Sequence, residues 1–327
     1  MNASLALALV CASAICPVAA QSDPCQPDDK TTRSMRLGAA LERGYGVQYW
    51  GAGYGADALA RQPHGLLILE AAQVGAPDSA DGREVFLNFP ALRRQQTNPE
   101  RPLLAYLNLA ELEPWRDYWA DGAAPPWAGG RTAQNEWLAR YWTQSWRAVL
   151  FSRIDRLMAA GADGLFLDDA LHYYTYGTGA VSEPAPSDPT GPAAHAAAMM
   201  QLVLDVIDRM RLYRCDGLVV VNNAVFIGRD AGPEEAARFD RYRSAMDAVL
   251  IEDAFGAADH PHLHLALAED YLAAGLQVLS LDFADPATGG AALSVAGIAA
   301  LARQHGYVPY IAPGLAFDRL APPEVSP

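Results

Sequence analysis

The chain has 327 residues, 51% of them hydrophobic and 19% charged, and a formal net charge of −14. That is ample apolar material for one large core, and it excludes a disordered chain. The acidic balance also excludes a nucleic-acid partner, whose phosphates call for clustered Lys and Arg, and favours a neutral or cationic ligand.

The N-terminal stretch LALALVCASAICPVAAQ ends in small residues, with Val18 and Ala20 framing an A-x-A-like cleavage point. It reads as a signal peptide over residues 1–20, although Lys and Arg are missing from its n-region. The rival reading is an uncleaved anchor. The stretch is short for a bilayer span, so no stable membrane span is expected after cleavage. The mature protein is expected to begin near Gln21 and to be secreted or periplasmic. Cleavage removes Cys11 and Cys16 and leaves Cys25 and Cys215. These two either bridge, tying an N-terminal arm (21–44) to the body, or stay as separate thiols.

Short apolar runs then alternate with helical patterns. Strands are expected at GVQYW (46–50), GLLILE (65–70), PLLAYLNL (102–109), GLFLD (164–168), GLVVVNN (217–223), AVLIED (248–253), LQVLSLD (276–282) and GYVPYIA (306–312). Several are continuously apolar, as strands covered on both faces must be. One intervening helix carries a stripe of Trp146, Leu150, Ile154 and Leu157, and another carries Met199, Val203, Val206 and Met210. Eight strand signals in βα alternation imply an α/β fold, a single-domain (β/α)8 TIM barrel over 45–320 with a short tail at 321–327. The segments 120–131 and 177–192, rich in Gly, Ala and Pro, are expected to be loops without helix or strand. Both lie on the C-terminal side of a strand, where barrels of this kind build their sites.

Polar residues crown the strands at that end. Glu70 closes the second, Asn108 and Glu111 the third, Asp168 and Asp169 the fourth, Asn222 and Asn223 the fifth, Glu252 and Asp253 the sixth, and Asp282 the seventh. Any one of them alone is explained as a helix cap or loop carboxylate. Gathering so many carboxylates on one rim costs repulsion that capping does not require, and such a rim can hold one carboxyl ionised and another protonated, as glycosidic cleavage needs. Aromatic residues are interleaved: Tyr45, Tyr49, Trp50 and Tyr54 at the first strand, Tyr106, Trp115, Tyr118 and Trp119 at the third, and Tyr173, Tyr174 and Tyr176 after the fourth. Barrel packing accounts for Tyr106 and others. Tyr49, Trp115, Tyr173 and Tyr174 are kept as candidates to stack on sugar rings, with Trp119 beside them.

The phrases PLLAYLNLAELEPWRDYW, YWTQSWRAVLFSRIDRLMAAGADGLFLDD, VVVNNA and AVLIEDAF, in this order, resemble the endo-α-1,4-polygalactosaminidase family, glycoside hydrolase family 114. The resemblance runs from about the first strand to the eighth. It implies a (β/α)8 barrel that hydrolyses a galactosamine-containing polysaccharide without metal or cofactor. It also matches the family's fourth-strand Asp to Asp168, its sixth-strand Glu to Glu252 and the Glu after the third strand to Glu111. The long Gly- and Pro-rich loops depart from the family and bear on substrate choice.

Strand parity puts Asp168 on the face of Phe166 and turns Asp169 away. Glu252 and Asp253 must also face opposite ways, and there the resemblance ranks Glu252 first. By analogy with other barrel glycosidases, Asp168 is assigned as nucleophile and Glu252 as acid/base, with the exchanged roles open. Three rivals stand beside this reading. Gly51, Gly53 and Ala56 match a dinucleotide fingerprint with Glu70 after the next strand, the mark of a nicotinamide or flavin enzyme, but Pro63 cuts the following helix short. His260, His262 and His264 in DHPHLHLA suggest a metal, against the simpler reading of a surface helix start. A sugar-binding barrel without turnover would carry the same rim.

Overall fold

The computed structural model describes residues 29–324 apart from 52, 74–83, 99, 120–123, 182–187, 256–259 and 284–292. Residues 1–20, read above as a signal peptide, and Cys25 lie outside the described residues. Cys215 is disulfide-bonded, and the three other cysteines all precede residue 29.

Eight parallel strands follow one another in sequence order around a barrel: β1 (Tyr45–Gln48), β2 (Leu66–Leu69), β3 (Leu103–Asn108), β4 (Gly164–Asp168), β5 (Leu218–Asn222), β6 (Ala248–Glu252), β7 (Gln277–Phe283) and β8 (Val308–Ala312). Each expected strand is present, its ends within two residues of the expected bounds, with the first beginning one residue earlier and the seventh ending one residue later. Alternation splits the apolar residues into two cores. Inward-facing side chains, among them Val47, Ile68, Leu104, Phe166, Val220, Leu250, Leu279 and Tyr310, fill the barrel. Outward-facing ones pack under the helices.

The helices follow from their apolar stripes. In α1 (Asp29–Leu41), Leu37 and Leu41 join the inner core from below. Arg33 and Arg36 reach carboxylates at the strand N-termini, Arg33 Nε to Asp247 Oδ1 at 2.9 Å and Arg36 Nη2 to Asp163 Oδ1 at 2.8 Å. From Asp29 to Leu41 the stretch expected as an arm is therefore a helical plug. In α2 (Gln144–Ala159), Thr143 caps the first turn by accepting from Trp146 N–H, and Trp146, Leu150, Ile154 and Leu157 are all buried. Each such aliphatic residue contributes about 1.5–3 kcal/mol. The Trp146 indole N–H also donates to Leu109 O at 2.8 Å, fixing the exit of β3. In α3 (Gly191–Arg211), Met199, Val203, Val206 and Met210 form the buried stripe.

Among the described residues, no main-chain ladder joins β8 to β1. The C-terminal segment seals that seam instead: Tyr49 N–H donates to Phe317 O at 2.8 Å, and Gln48 Nε2 donates to Asp318 O at 3.0 Å. Gly51 allows this approach, because a Cβ there would meet Asp318 O at 2.1 Å. The helix that follows Gly51 and Gly53 has five residues, too short for a dinucleotide fingerprint, and Gly51 serves the seam.

One expectation needs correcting. The segment 120–131 was expected to hold no strand, yet Ala128–Arg131 pairs antiparallel with Trp137–Ala139, which pairs with Glu111–Leu112. This three-stranded ribbon stands on the C-terminal face beside β3. Aromatic and cation–π contacts hold the Gly-rich strand, with the Arg131 guanidinium 4.0 Å over the Trp137 ring. Helix α3 likewise begins inside 177–192, at Gly191.

Candidate active site

Parity brings Tyr49, Glu70, Asn108, Asp168, Asn222 and Glu252 to the inner face at the C-terminal ends of β1 to β6. At the centre, the Asn222 amide is buried and its Nδ2 donates to Asp168 Oδ1 at 2.8 Å and to Glu252 Oε1 at 2.5 Å. Two oxygens held on one nitrogen lie no farther apart than the sum of those distances, about 5.3 Å. Asp168 also accepts from Asp169 N–H at 2.8 Å and from the Tyr106 hydroxyl. Asn223 does not face the mouth: its Oδ1 accepts from Glu252 N–H at 3.1 Å and orients the carboxyl-bearing residue.

Residues immediately after β4, β5 and β6 share an uncommon backbone. Asp169, Asn223 and Asp253 have φ of 59°, 59° and 51°, the left-handed region that Asn and Asp tolerate best among side-chain-bearing residues. Each turns the chain sharply off the barrel. Asp169 thereby swings toward β3, where Asn108 Nδ2 donates to its Oδ2 at 2.5 Å. Its Oδ1 lies 3.6 Å from His172 Nε2, and Glu111 Oε2 lies 3.9 Å from the same nitrogen.

Burial raises the carboxyl pKa values here. Glu252 is pushed up to about 7, first by desolvation and then by the Asp168 charge. Asp168 is also raised by burial, but three donors, the Asn222 amide, Asp169 N–H and the Tyr106 hydroxyl, favour its ionised form. Glu252 has only the shared amide to offset burial. The environments therefore separate a proton-holding Glu252 from an Asp168 whose anion has more hydrogen-bond donors. Asp169 is raised well above the ordinary range by desolvation, Asp168 and Glu111.

Beside this centre a cleft of about 420 Å³ is walled by Tyr49, Trp50, Tyr106 and Trp115, with Glu70 and Glu113 among its polar groups. Both tryptophans are exposed yet pinned: the Trp50 indole N–H donates to Ala316 O at 2.7 Å, and the Arg116 guanidinium lies 4.0 Å over the Trp115 ring. Arg116 is buried and holds Glu70 at 2.6 Å, Glu84 at 3.2 Å and Glu113. Glu113 is raised to about 7 by burial, against the pull of Arg116.

Several expected site residues are placed elsewhere. Tyr173 is buried, and its hydroxyl donates to Asp230 Oδ2 at 2.7 Å, so it offers no face to a ligand. Tyr174 is 52% exposed and is not among the residues that wall the cleft. Asp282 shares its strand face with Val278 and Ser280, outside the barrel, and accepts from Phe255 N–H at 2.9 Å. Asp253 is exposed. Glu70 is committed to scaffold, its oxygens taken by Arg116 and by Ala72 N–H at 2.8 Å. Trp119 is half-buried against Trp137. His260 and His262 are exposed, whereas the His264 ring stacks on His305 at 4.2 Å, so the three do not converge. Sequence reasoning missed Arg116, Glu113 and His172; the only sequence signal was their closeness to Glu111 and Asp169.

The profile of glycoside-hydrolase family GH114 matches residues 80–316. A Deinococcus radiodurans protein is 26% identical over 331 residues, covering 94% of both chains. A Thermotoga maritima protein is 26% identical over 127 residues, 37% of this chain and 36% of that one. Among solved structures, the glycoside hydrolase domain of PelA from Pseudomonas aeruginosa superposes with a TM-score of 0.56 at 18% identity, covering 84% of this chain and 96% of that domain. Aspergillus fumigatus Ega3, in complex with galactosamine, superposes with a TM-score of 0.54 at 12% identity, covering 86% of this chain and 95% of that one. At such identities these likenesses speak to the barrel alone. The profile match, which spans most of the barrel, is the decisive finding: the chain belongs to glycoside hydrolase family GH114 and is a glycosidase.

Proposed function

We propose that this glycosidase cleaves α-1,4 linkages within a galactosamine-containing polysaccharide with retention of anomeric configuration, Asp168 acting as nucleophile and Glu252 as acid/base. The observation that carries the mechanism is the shared Asn222 donor, which keeps the nearest carboxyl oxygens within about 5.3 Å. Retaining enzymes set their carboxyls about 5–5.5 Å apart, whereas inverting enzymes need about 6.5–9.5 Å to admit a water. In the first step Asp168 attacks the anomeric carbon, the bond to the leaving oxygen breaks, and Glu252 gives that oxygen its proton. In the second, Glu252 takes a proton from water, whose oxygen displaces Asp168 from the same carbon.

Three observations support an amino-sugar polymer. Ega3, of similar fold, was solved with galactosamine. Among the described residues, no Arg or Lys ion pair reaches Asp168 or the exposed Asp253, so this part of the mouth offers negative potential to a protonated amine. The pinned Trp50 and Trp115 flank a cleft wide enough for further sugar rings. The signal-like segment and the disulfide at Cys215 support placement outside the cytoplasm.

The test is incubation with partly deacetylated galactosaminoglycan beside its fully acetylated form, chitosan and neutral glycans, with products sized by mass spectrometry and their anomers read by NMR. Shortened galactosamine oligomers with retained configuration, released faster from the deacetylated polymer and more slowly at high salt, are expected. Equal turnover of both acetylation states without salt dependence would remove the amine from the reading, and an inverted first product would remove the nucleophile.

A further inference from the structure

We propose that Glu111, Asp169 and His172 form a binding site for one divalent transition-metal ion, Zn2+ or Mn2+, at the barrel mouth between β3 and β4. The three donor atoms lie within 4.8 Å of one another. His172 Nε2 is 3.6 Å from Asp169 Oδ1 and 3.9 Å from Glu111 Oε2. Those separations are too long for hydrogen bonds. Donors each about 2.1 Å from one ion lie roughly 3.4–3.6 Å apart at about 110–120° and no more than about 4.2 Å apart at any angle, so both separations can be spanned by a common centre.

An independent observation points the same way. His172 Nε2 is a buried nitrogen with no hydrogen-bond partner, aimed between the two carboxylates. A buried polar atom left alone is costly, and an ion would satisfy it. The other ring nitrogen, Nδ1, lies 3.1 Å from Thr175 Oγ1. With Nδ1–H donating to that hydroxyl, the lone pair sits on Nε2 and the ring is held, as the outer partner of a ligating histidine does.

The carboxylates are supported too, both by Asn108. Its Nδ2 binds Asp169 Oδ2 at 2.5 Å, which leaves Oδ1 for the ion. Its Oδ1 accepts from Glu111 N–H at 2.7 Å, which fixes the start of the ribbon strand that carries Glu111. One asparagine thus aligns two ligands, and one threonine aligns the third. One imidazole and two carboxylates suit Zn2+ or Mn2+ better than Ca2+ or Mg2+, which prefer oxygen-only sets. Bound there, the ion would tie the β3 exit to the helix at His172–Gly177 and supply the positive charge that no Arg or Lys brings to this corner. The hydrolytic steps assigned to Asp168 and Glu252 do not pass through it.

The test uses the full chain, stripped with a chelator and titrated with ZnCl2 or MnCl2 by isothermal calorimetry at neutral pH. One ion per chain is expected. His172→Ala and the more conservative His172→Gln and Glu111→Gln should each weaken binding at least about 10-fold while far-UV circular dichroism stays unchanged. Absorption spectroscopy at the metal edge should report one imidazole nitrogen among oxygen ligands. His262→Ala, on the exposed helix start, should leave binding as it is. No heat up to millimolar metal, undiminished binding in the His172 and Glu111 variants, or loss of binding in His262→Ala would each overturn the proposal.

Discussion

Asp168 and Glu252, carried by strands that are not neighbours, are clamped to one amide nitrogen of the strand between them. Asn222→Ala removes that clamp and leaves two buried carboxyls without a common donor. A hydrogen bond to a charged group contributes about 1.5–3 kcal/mol, so kcat should fall about 10- to 100-fold with KM nearly unchanged. Steady-state kinetics on a soluble oligosaccharide would check this, and a variant that raised KM while sparing kcat would make Asn222 a substrate contact instead.

Asp168→Asn and Glu252→Gln keep shape while removing the attacking anion and the proton donor. Each should lower turnover by about 10²–10⁴-fold or more without loss of fold. Asp169→Asn and Asp253→Asn should cost less, because neither side chain faces the shared amide. Near wild-type activity in Asp168→Asn, or a deeper loss in Asp169→Asn, would reassign the fourth-strand carboxylate.

Glu252 must hold its proton to act as acid, and burial lifts it to about 7. Activity should therefore decline as pH rises through about 7, and the Glu252→Gln variant should lose that limb. Stability carries the same sign. Between the ordinary Glu value near 4.5 and about 7, the folded chain keeps a proton that the unfolded chain has released, so stability falls as pH rises across that window. Glu113, also near 7, and Asp282, near 6, add to the slope. Denaturant melts from pH 4.5 to pH 8 would measure it, and stability that climbed with pH would contradict the assignment.

Arg116 is the shared cation of Glu70, Glu84 and Glu113. Arg116→Met leaves the buried Glu70, and Glu113, without their cation, while Glu84 keeps Arg153 at 2.8 Å, and should destabilise the fold by about 3–5 kcal/mol. Arg116→Lys should restore only part of this, since an ammonium lacks the planar fork that spans several acceptors. Calorimetric unfolding of both variants at pH 8, above the raised value of Glu113, would show the difference at its largest.

Where the fold was legible, the reason was periodicity. Continuous apolar runs mark strands buried on both faces, and parity from Phe166 carries the reading to Asp168 without any structure. The same parity, followed from Val278 through Ser280, would have turned Asp282 out of the barrel. Tyr173 was not legible, because it follows a left-handed turn at Asp169 that resets which way the next residues face. The Ala128–Arg131 strand carries two glycines and no β-branched residue, so its propensity points away from the structure that tertiary contacts impose. Arg116 meets Glu70 across 46 positions of chain, a pairing no local pattern encodes.

The left-handed turns after β4, β5 and β6 have a consequence for how the rim can change. A residue with φ near +55° accepts Gly, Asn or Asp but resists β-branched and bulky side chains. Within that set, Asp and Asn are isosteric and differ by one unit of charge. At Asn223 and Asp253 the backbone therefore restricts size while leaving charge free, so the potential over the mouth can be retuned in one-unit steps without moving the strands that hold the catalytic pair, whereas at Asp169 the same restriction keeps a side chain short enough to meet Asn108.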